Sequence, residues 1–177
     1  MPLTAPTQIH ASDIGTVDTE QKYPFGTLAF GTVYVSSAGT AYAAPSASGA
    51  TRYDGNIYIY LKGVASTIVG SAVTYDEAGV TTLIVANGKG PVAFATGVTD
   101  ATTEYGWYLV AGTGLADIVA NSADNSTIGR ETTDGKVGDG RAAGDQIANC
   151  FQRVATTAAA VGIVQCYFPF VDDFQGA

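Results

Sequence analysis

Charge is scarce in this sequence: 14% of its 177 residues are Asp, Glu, Lys or Arg, against about a quarter in an average soluble domain. Thr, Ser, Ala, Gly and Asn must therefore cover most of the surface, as they do in secreted proteins, fibres and shells. The charge that is present is mostly negative, with 16 acidic residues against 8 basic and a net charge of −8. A general binder of nucleic acid or of anionic membrane needs a basic footprint, and none is expected here. Histidine is nearly absent. His10 is the single one, and it falls in a proline-bearing segment where a surface position is expected. One histidine so placed leaves a Ser-His-Asp or Cys-His triad without its base. The chain is accordingly read as non-enzymatic, with no catalytic residue. Only two cysteines occur, Cys150 and Cys166, and no CxxC spacing for a zinc cluster. Both fall in predicted strands and are read as buried thiols, with pairing across a strand pair as the alternative. No apolar run is long enough to cross a bilayer. The first fifteen residues have neither the basic stretch nor the apolar core of a signal peptide. The expectation is a soluble chain made in a cytoplasm.

The remaining chemical signals are weak for stated reasons. Asp76-Glu77 and Asp172-Asp173 are adjacent carboxylates, whereas glycosidase carboxylates stand about 5–10 Å apart across a cleft. They are read as solvated charges. The run Asp134-Gly135-Lys136-Val137-Gly138-Asp139-Gly140 lacks the alternating ligands and terminal glutamate of an EF-hand. Gly88-Lys89-Gly90 and Gly112-Thr113-Gly114 precede no helix, so they are not phosphate loops. No metal and no cofactor is expected.

What the sequence does contain is β pattern. Thr27–Val35 is β-branched and aromatic, and Asn56–Lys62 (NIYIYLK) alternates, Ile57, Ile59 and Leu61 on one face, Tyr58, Tyr60 and Lys62 on the other. Residues 64–74, Thr81–Ala86, Pro91–Thr96, Tyr105–Ala111, Leu115–Ala120, Ile147–Val154 and Ala159–Phe168 continue the series. Asn87-Gly88-Lys89-Gly90 signals a hairpin, and Gly112-Thr113-Gly114 a turn. Residues 36–51 and 121–145 read as loops, the second with a short strand around Thr127–Glu131, and a short helix near 141–149 is conceivable. The predicted fold is all-β, a sandwich or barrel of about 8–10 short strands. Residues 1–26, with Pro2, Pro6 and Pro24, form an extended N-terminal arm or a disordered end. The β-domain spans 27–168 and a C-terminal tail 169–177.

The segment Thr99–Gly112 (TDATTEYGWYLVAG) is similar to a pattern in tailed-phage structural proteins encoded beside the major capsid protein. The matching residues are Tyr105, Gly106, Trp107 and Gly112, with Val92–Thr96 before them. Phe30–Val35, Ile57–Leu61, Thr74–Glu77 and the aromatic end Tyr167–Phe170 follow the same layout. What the resemblance implies is a capsid decoration or cement protein, commonly trimeric, that clamps neighbouring capsomers on the outer surface of the head. Its partners would be the major capsid protein and further copies of itself, with neither nucleic acid nor membrane.

The candidate contact residues are Pro2 and Pro6 of the arm, Tyr58 and Tyr60 of the alternating strand, and Phe168, Phe170 and Phe174 near the end. Trp107 is expected in a core strand. The alternative function is a receptor- or carbohydrate-binding module of a tail or fibre, in which Tyr58, Tyr60 and Asp54 would stack and bind a sugar.

Overall fold

The computed structural model describes residues 7–9, 13–36, 42, 48–86, 88–140 and 145–172. The described residues form eleven strands and no helix, so the fold is all-β as the alternation implied. The first strands are β1 (Thr7–Gln8), β2 (Leu28–Val35) and β3 (Thr51–Lys62). After them come β4 (Ala72–Tyr75), β5 (Thr81–Leu83) and β6 (Gly90–Ala95). The long β7 (Tyr105–Ile118) leads to β8 (Thr127–Arg130), β9 (Val137–Gly138), β10 (Gln146–Gln152) and β11 (Ala160–Val171).

The architecture turns on β7. Its first half lies between β3 and β6, with Tyr60 opposite Trp107 and Phe94 opposite Leu109. Its second half pairs with β11 from Ala111 opposite Tyr167 to Ile118 opposite Ala160. Ile118 also meets Val137 of β9, and β9 pairs β8, β8 pairs β10, and β10 pairs β11. These five strands close into a ring. On the other side, the β4–β5 hairpin returns to β3: Lys62 N donates to Gly79 O at 2.9 Å, and Thr81 Oγ1 donates to Lys62 O at 2.7 Å. The two closures share β7, which hides the edges of a β structure that an open sheet would expose.

This arrangement buries both faces of the alternating strand. Ile59 and Leu61 pack with Val73, Ala93, Ala95, Tyr108 and Val110 in a small cluster. Tyr58 and Tyr60 point the other way, into a larger core with Phe94, Trp107, Leu109, Leu115 and Ile118. A buried tyrosine is tolerated when its hydroxyl finds a partner, and both do. Asn56 Nδ2 donates to Tyr58 Oη at 2.9 Å, and Tyr60 Oη donates to Asp18 Oδ2 at 2.9 Å. Trp107 is a core residue as expected, 4% exposed, with its ring 5.1 Å from Tyr60 and 5.2 Å from Tyr23.

Five local expectations change. The glycines at Gly112 and Gly114 do not end a strand, because β11 pairs continuously past them and holds β7 extended. The Asn87–Gly90 signal does not make a hairpin, since β4 lies between β5 and β6 and pairs with both; Asn87 itself lies outside the described residues. In place of the conceivable helix, Gln146–Gln152 is a strand, and residues 141–144 are outside the description. Wherever it is described, the segment read as an arm packs on its own domain. Ile9 and Ile14 are buried, β1 pairs with β2, and Asp18 bridges Tyr105. The last strand also runs past the expected boundary, to Val171.

Candidate functional site

The candidate site forms where β10 and β11 lose their register. Between Ala148 opposite Phe170 and Cys150 opposite Cys166, β10 has one intervening residue and β11 has three. Asn149 (φ 58°) and Phe168 (φ 46°) absorb the mismatch in the left-handed region. Such a conformation is uncommon for Asn and a genuine outlier for a bulky aromatic residue. It also changes which side chains face out. Alternation along β11 points Cys166 inward and Tyr167 outward, and the irregularity then leaves Phe168 outward as well. Tyr167 is 68% exposed, Phe168 43% and Phe170 45%, and Phe151 on β10 is 43% exposed. The rings of Tyr167 and Phe168 meet edge to face with centroids 5.2 Å apart.

Beside these rings lies an open concavity of about 720 Å³. Ile57, Ala111 and Gly112 form its floor, and Phe151 and Tyr167 stand at its wall. The floor and wall are a cross-strand row, because Ile57 is opposite Ala111 and Ala111 opposite Tyr167, and directly opposed residues share a face. The row extends to Phe30, opposite Ile57 and 44% exposed. Polar groups reach the same space from Asn125, Asn149, Gln165 and Arg153. Among the described residues, these four exposed side chains make no hydrogen bond or ion pair with the rest of the chain.

The expected contact residues divide three ways. Phe168 and Phe170 lie on this outer surface. Tyr58 and Tyr60 do not: each is 0% exposed, so neither can touch a partner or stack on a sugar. The alternation of that strand was correctly read, but the face opposite its isoleucines is a second core rather than a surface. Asp54, the third member of that sugar site, is engaged by Thr32 Oγ1 at 2.7 Å and Arg52 Nε at 2.9 Å, which hold its carboxyl below the usual range. Pro2, Pro6 and Phe174 lie outside the described residues, as does His10. Sequence reasoning missed Phe151, Tyr167 and Arg153. The signal was available for two of them, since Phe151 and Arg153 alternate with the buried Cys150 and Gln152.

The two cysteines are free, buried and directly opposite each other on β10 and β11. Burial, reinforced by the neighbouring Cys166, pushes the Cys150 thiol well above its ordinary range, which makes it a poor nucleophile. In the acidic segment, Asp76 Oδ1 accepts from Ala78 N and Val80 N and so closes a turn. Asp117 is bound by Lys136 Nζ at 2.7 Å. No group of three potential metal ligands gathers among the described residues.

Among the described carboxyls Glu131 is raised, chiefly by burial and then by Asp139 and Asp145. A carboxyl whose folded pKa lies above its unfolded value costs nothing while protonated. Stability is therefore greatest below the unfolded pKa and is lost as pH rises through the folded one. Glu131→Gln should raise the melting temperature at pH 7 on the order of 1–3 °C, solvent screening keeping the gain small. The gain should vanish near pH 4, where the native carboxyl is protonated. Equal gains at both pH values, measured by scanning calorimetry, would contradict this account.

Comparison of the chain with family models, with curated proteins and with solved structures finds no match.

Proposed function

We propose that this chain is a non-enzymatic structural subunit of a tailed phage, a decoration or cement protein bound to the outer surface of the head. One observation carries the reading: Phe151, Tyr167, Phe168 and Phe170 are all 43% exposed or more on neighbouring strands. Contiguous large aromatics on a soluble surface mark a site of association, and aromatic residues are enriched at the centres of protein interfaces. The likeness of Thr99–Gly112 to phage head proteins supports the same reading. So does the low charge content, which suits a surface that meets several neighbours.

In this role the major capsid protein is the partner, and the chain associates with itself, with a trimer favoured. Each contact is shallow. Three copies joined on a symmetric particle bind far more tightly than one, because the second and third contacts are intramolecular. Clamping capsomers requires nothing more chemical than that.

Cosedimentation with expanded, DNA-free capsids tests the proposal. The full chain should pellet with the capsids, and Phe168→Ser with Phe170→Ser should leave it in the supernatant with its melting temperature little changed. A chain that stays soluble and monomeric beside expanded capsids rules the proposal out.

A further inference from the structure

We propose that the concavity between Phe151 and Tyr167 is a saccharide site that takes a pyranose bearing a carboxylate, such as a uronic acid. The inference goes beyond the capsid reading and does not depend on it. Three features meet in this one place.

The first is the pair of aromatic rings at the wall. Tyr167 is 68% exposed, the most exposed of the large apolar side chains among the described residues. A pyranose presents an apolar face of C–H bonds on one side and a rim of hydroxyls around it. An exposed aromatic ring with one polar tip suits the first part, since its π face is apolar and electron-rich. Phe151 flanks the same space, so a sugar could be bounded on two sides.

The second feature is hydrogen-bonding capacity held in reserve. Asn125, Asn149 and Gln165 each offer a carbonyl oxygen and an amide NH₂, the groups that match vicinal hydroxyls. None of the three spends its side chain on the protein among the described residues. Asn125 and Asn149 sit at φ 57° and 58°. Among the described residues, two of the five non-glycine residues with positive φ thus line this concavity, and Phe168 at φ 46° follows the lining residue Tyr167. Backbone conformations of this kind cost free energy and collect at ligand sites. The register shift at Asn149 interrupts the ladder at the place where the amide faces the concavity, which is how a bulge re-aims a side chain.

The third feature is charge. The chain carries 16 acidic residues against 8 basic, yet no residue lining this concavity is acidic and Arg153 is among them. Arg153 forms no ion pair among the described residues. A guanidinium binds a planar carboxylate through two parallel hydrogen bonds, so the arginine selects an acidic sugar over a neutral one. A protein partner would also accept exposed aromatic rings, but it gives no reason for three uncommitted amides beside them.

Isothermal titration of the full chain with trigalacturonic acid, and with maltotriose as the neutral trisaccharide, tests this. Trigalacturonic acid should bind at one site, and more tightly than maltotriose. Tyr167→Ala should weaken it at least about tenfold. Arg153→Gln should reduce its affinity to that of maltotriose. Both side chains are exposed, so both variants should keep the parent's melting temperature. Absence of binding by either sugar at millimolar concentration would leave an aromatic docking patch only, and would overturn the proposal. Binding unchanged in Tyr167→Ala would overturn it too, and equal affinity for both sugars would overturn the assignment of Arg153. A chain that fails to sediment with capsids should still bind the saccharide, so the two readings fail separately.

Discussion

Gly112→Ala should leave the chain insoluble on expression, or so destabilised that it unfolds well before the parent in urea. Gly112 has φ +109° in the middle of β7, where a side chain is already strained. A Cβ placed there would stand 2.0 Å from Asn56 Oδ1, 2.7 Å from its Cγ and 2.9 Å from its Cα. The last of these is backbone and cannot step aside. The amide cannot easily leave either, because Asn56 is 0% exposed and fully committed. Its Nδ2 donates to Thr113 O at 2.7 Å and to Tyr58 Oη at 2.9 Å, and its Oδ1 accepts from Thr113 N at 2.9 Å. Displacing it strands several buried polar groups at about 1–3 kcal/mol each, in addition to backbone strain of about 1–3 kcal/mol. The sum is on the order of 4–8 kcal/mol, comparable with the whole stability of a typical domain. Gly55 provides the control: it also has positive φ, 76°, but nothing lies within 4 Å of its Cβ position. Gly55→Ala should therefore cost only about 1 kcal/mol. If the two variants unfold at the same urea concentration, the clash with Asn56 is not what requires glycine at 112.

That same glycine shows where the sequence was legible and where it was not. A glycine pair reads as a turn because turns are the commonest use of positive φ. Here Gly112 serves close approach by Asn56, and β11, which pairs alongside from more than forty residues downstream, decides that the strand continues. Non-local pairing also defeated the Asn87–Gly90 signal, since β4 takes the place beside β6 that a hairpin would have given β5. Period-two alternation in β3 was readable because it is local. Which of its faces is inside was not readable, because two cores share the strand. The exposure of Phe168 and Phe170 followed from their place near the end of the chain. Tyr167 beside them was hidden by a backbone irregularity at Phe168 that no propensity for phenylalanine would suggest. Phe151 and Arg153 are legible once β10 is known to have an inner face at Cys150 and Gln152.

Arg130→Met should cost about 3–5 kcal/mol, because it leaves the part-buried Asp145 carboxylate and Gly88 O without the guanidinium they share. Arg130 is 3% exposed at the end of β8, in a chain with little charge to bury. Its Nε donates to Asp145 Oδ1 and its Nη1 to Gly88 O. The backbone follows the same path, with Arg130 N donating to Asp145 O at 2.9 Å. One side chain thereby ties β8 to the start of its neighbour β10 and to the loop before β6, two places beyond β10 in the strand order. Methionine keeps most of the aliphatic stem, so the loss measures the guanidinium rather than the packing. The melting temperature should fall by roughly 6–20 °C for a chain of this size. Adding Asp145→Asn to Arg130→Met should recover part of that fall, because the neutral amide removes the charge left behind. Arg52 pairs with Asp54 in the open, with side chains 59% and 58% exposed, and Arg52→Met should leave the melting temperature unchanged. The contrast isolates burial as the variable. A small effect of Arg130→Met, or no recovery on adding Asp145→Asn, would mean that packing and backbone pairing alone close the ring of β7, β9, β8, β10 and β11.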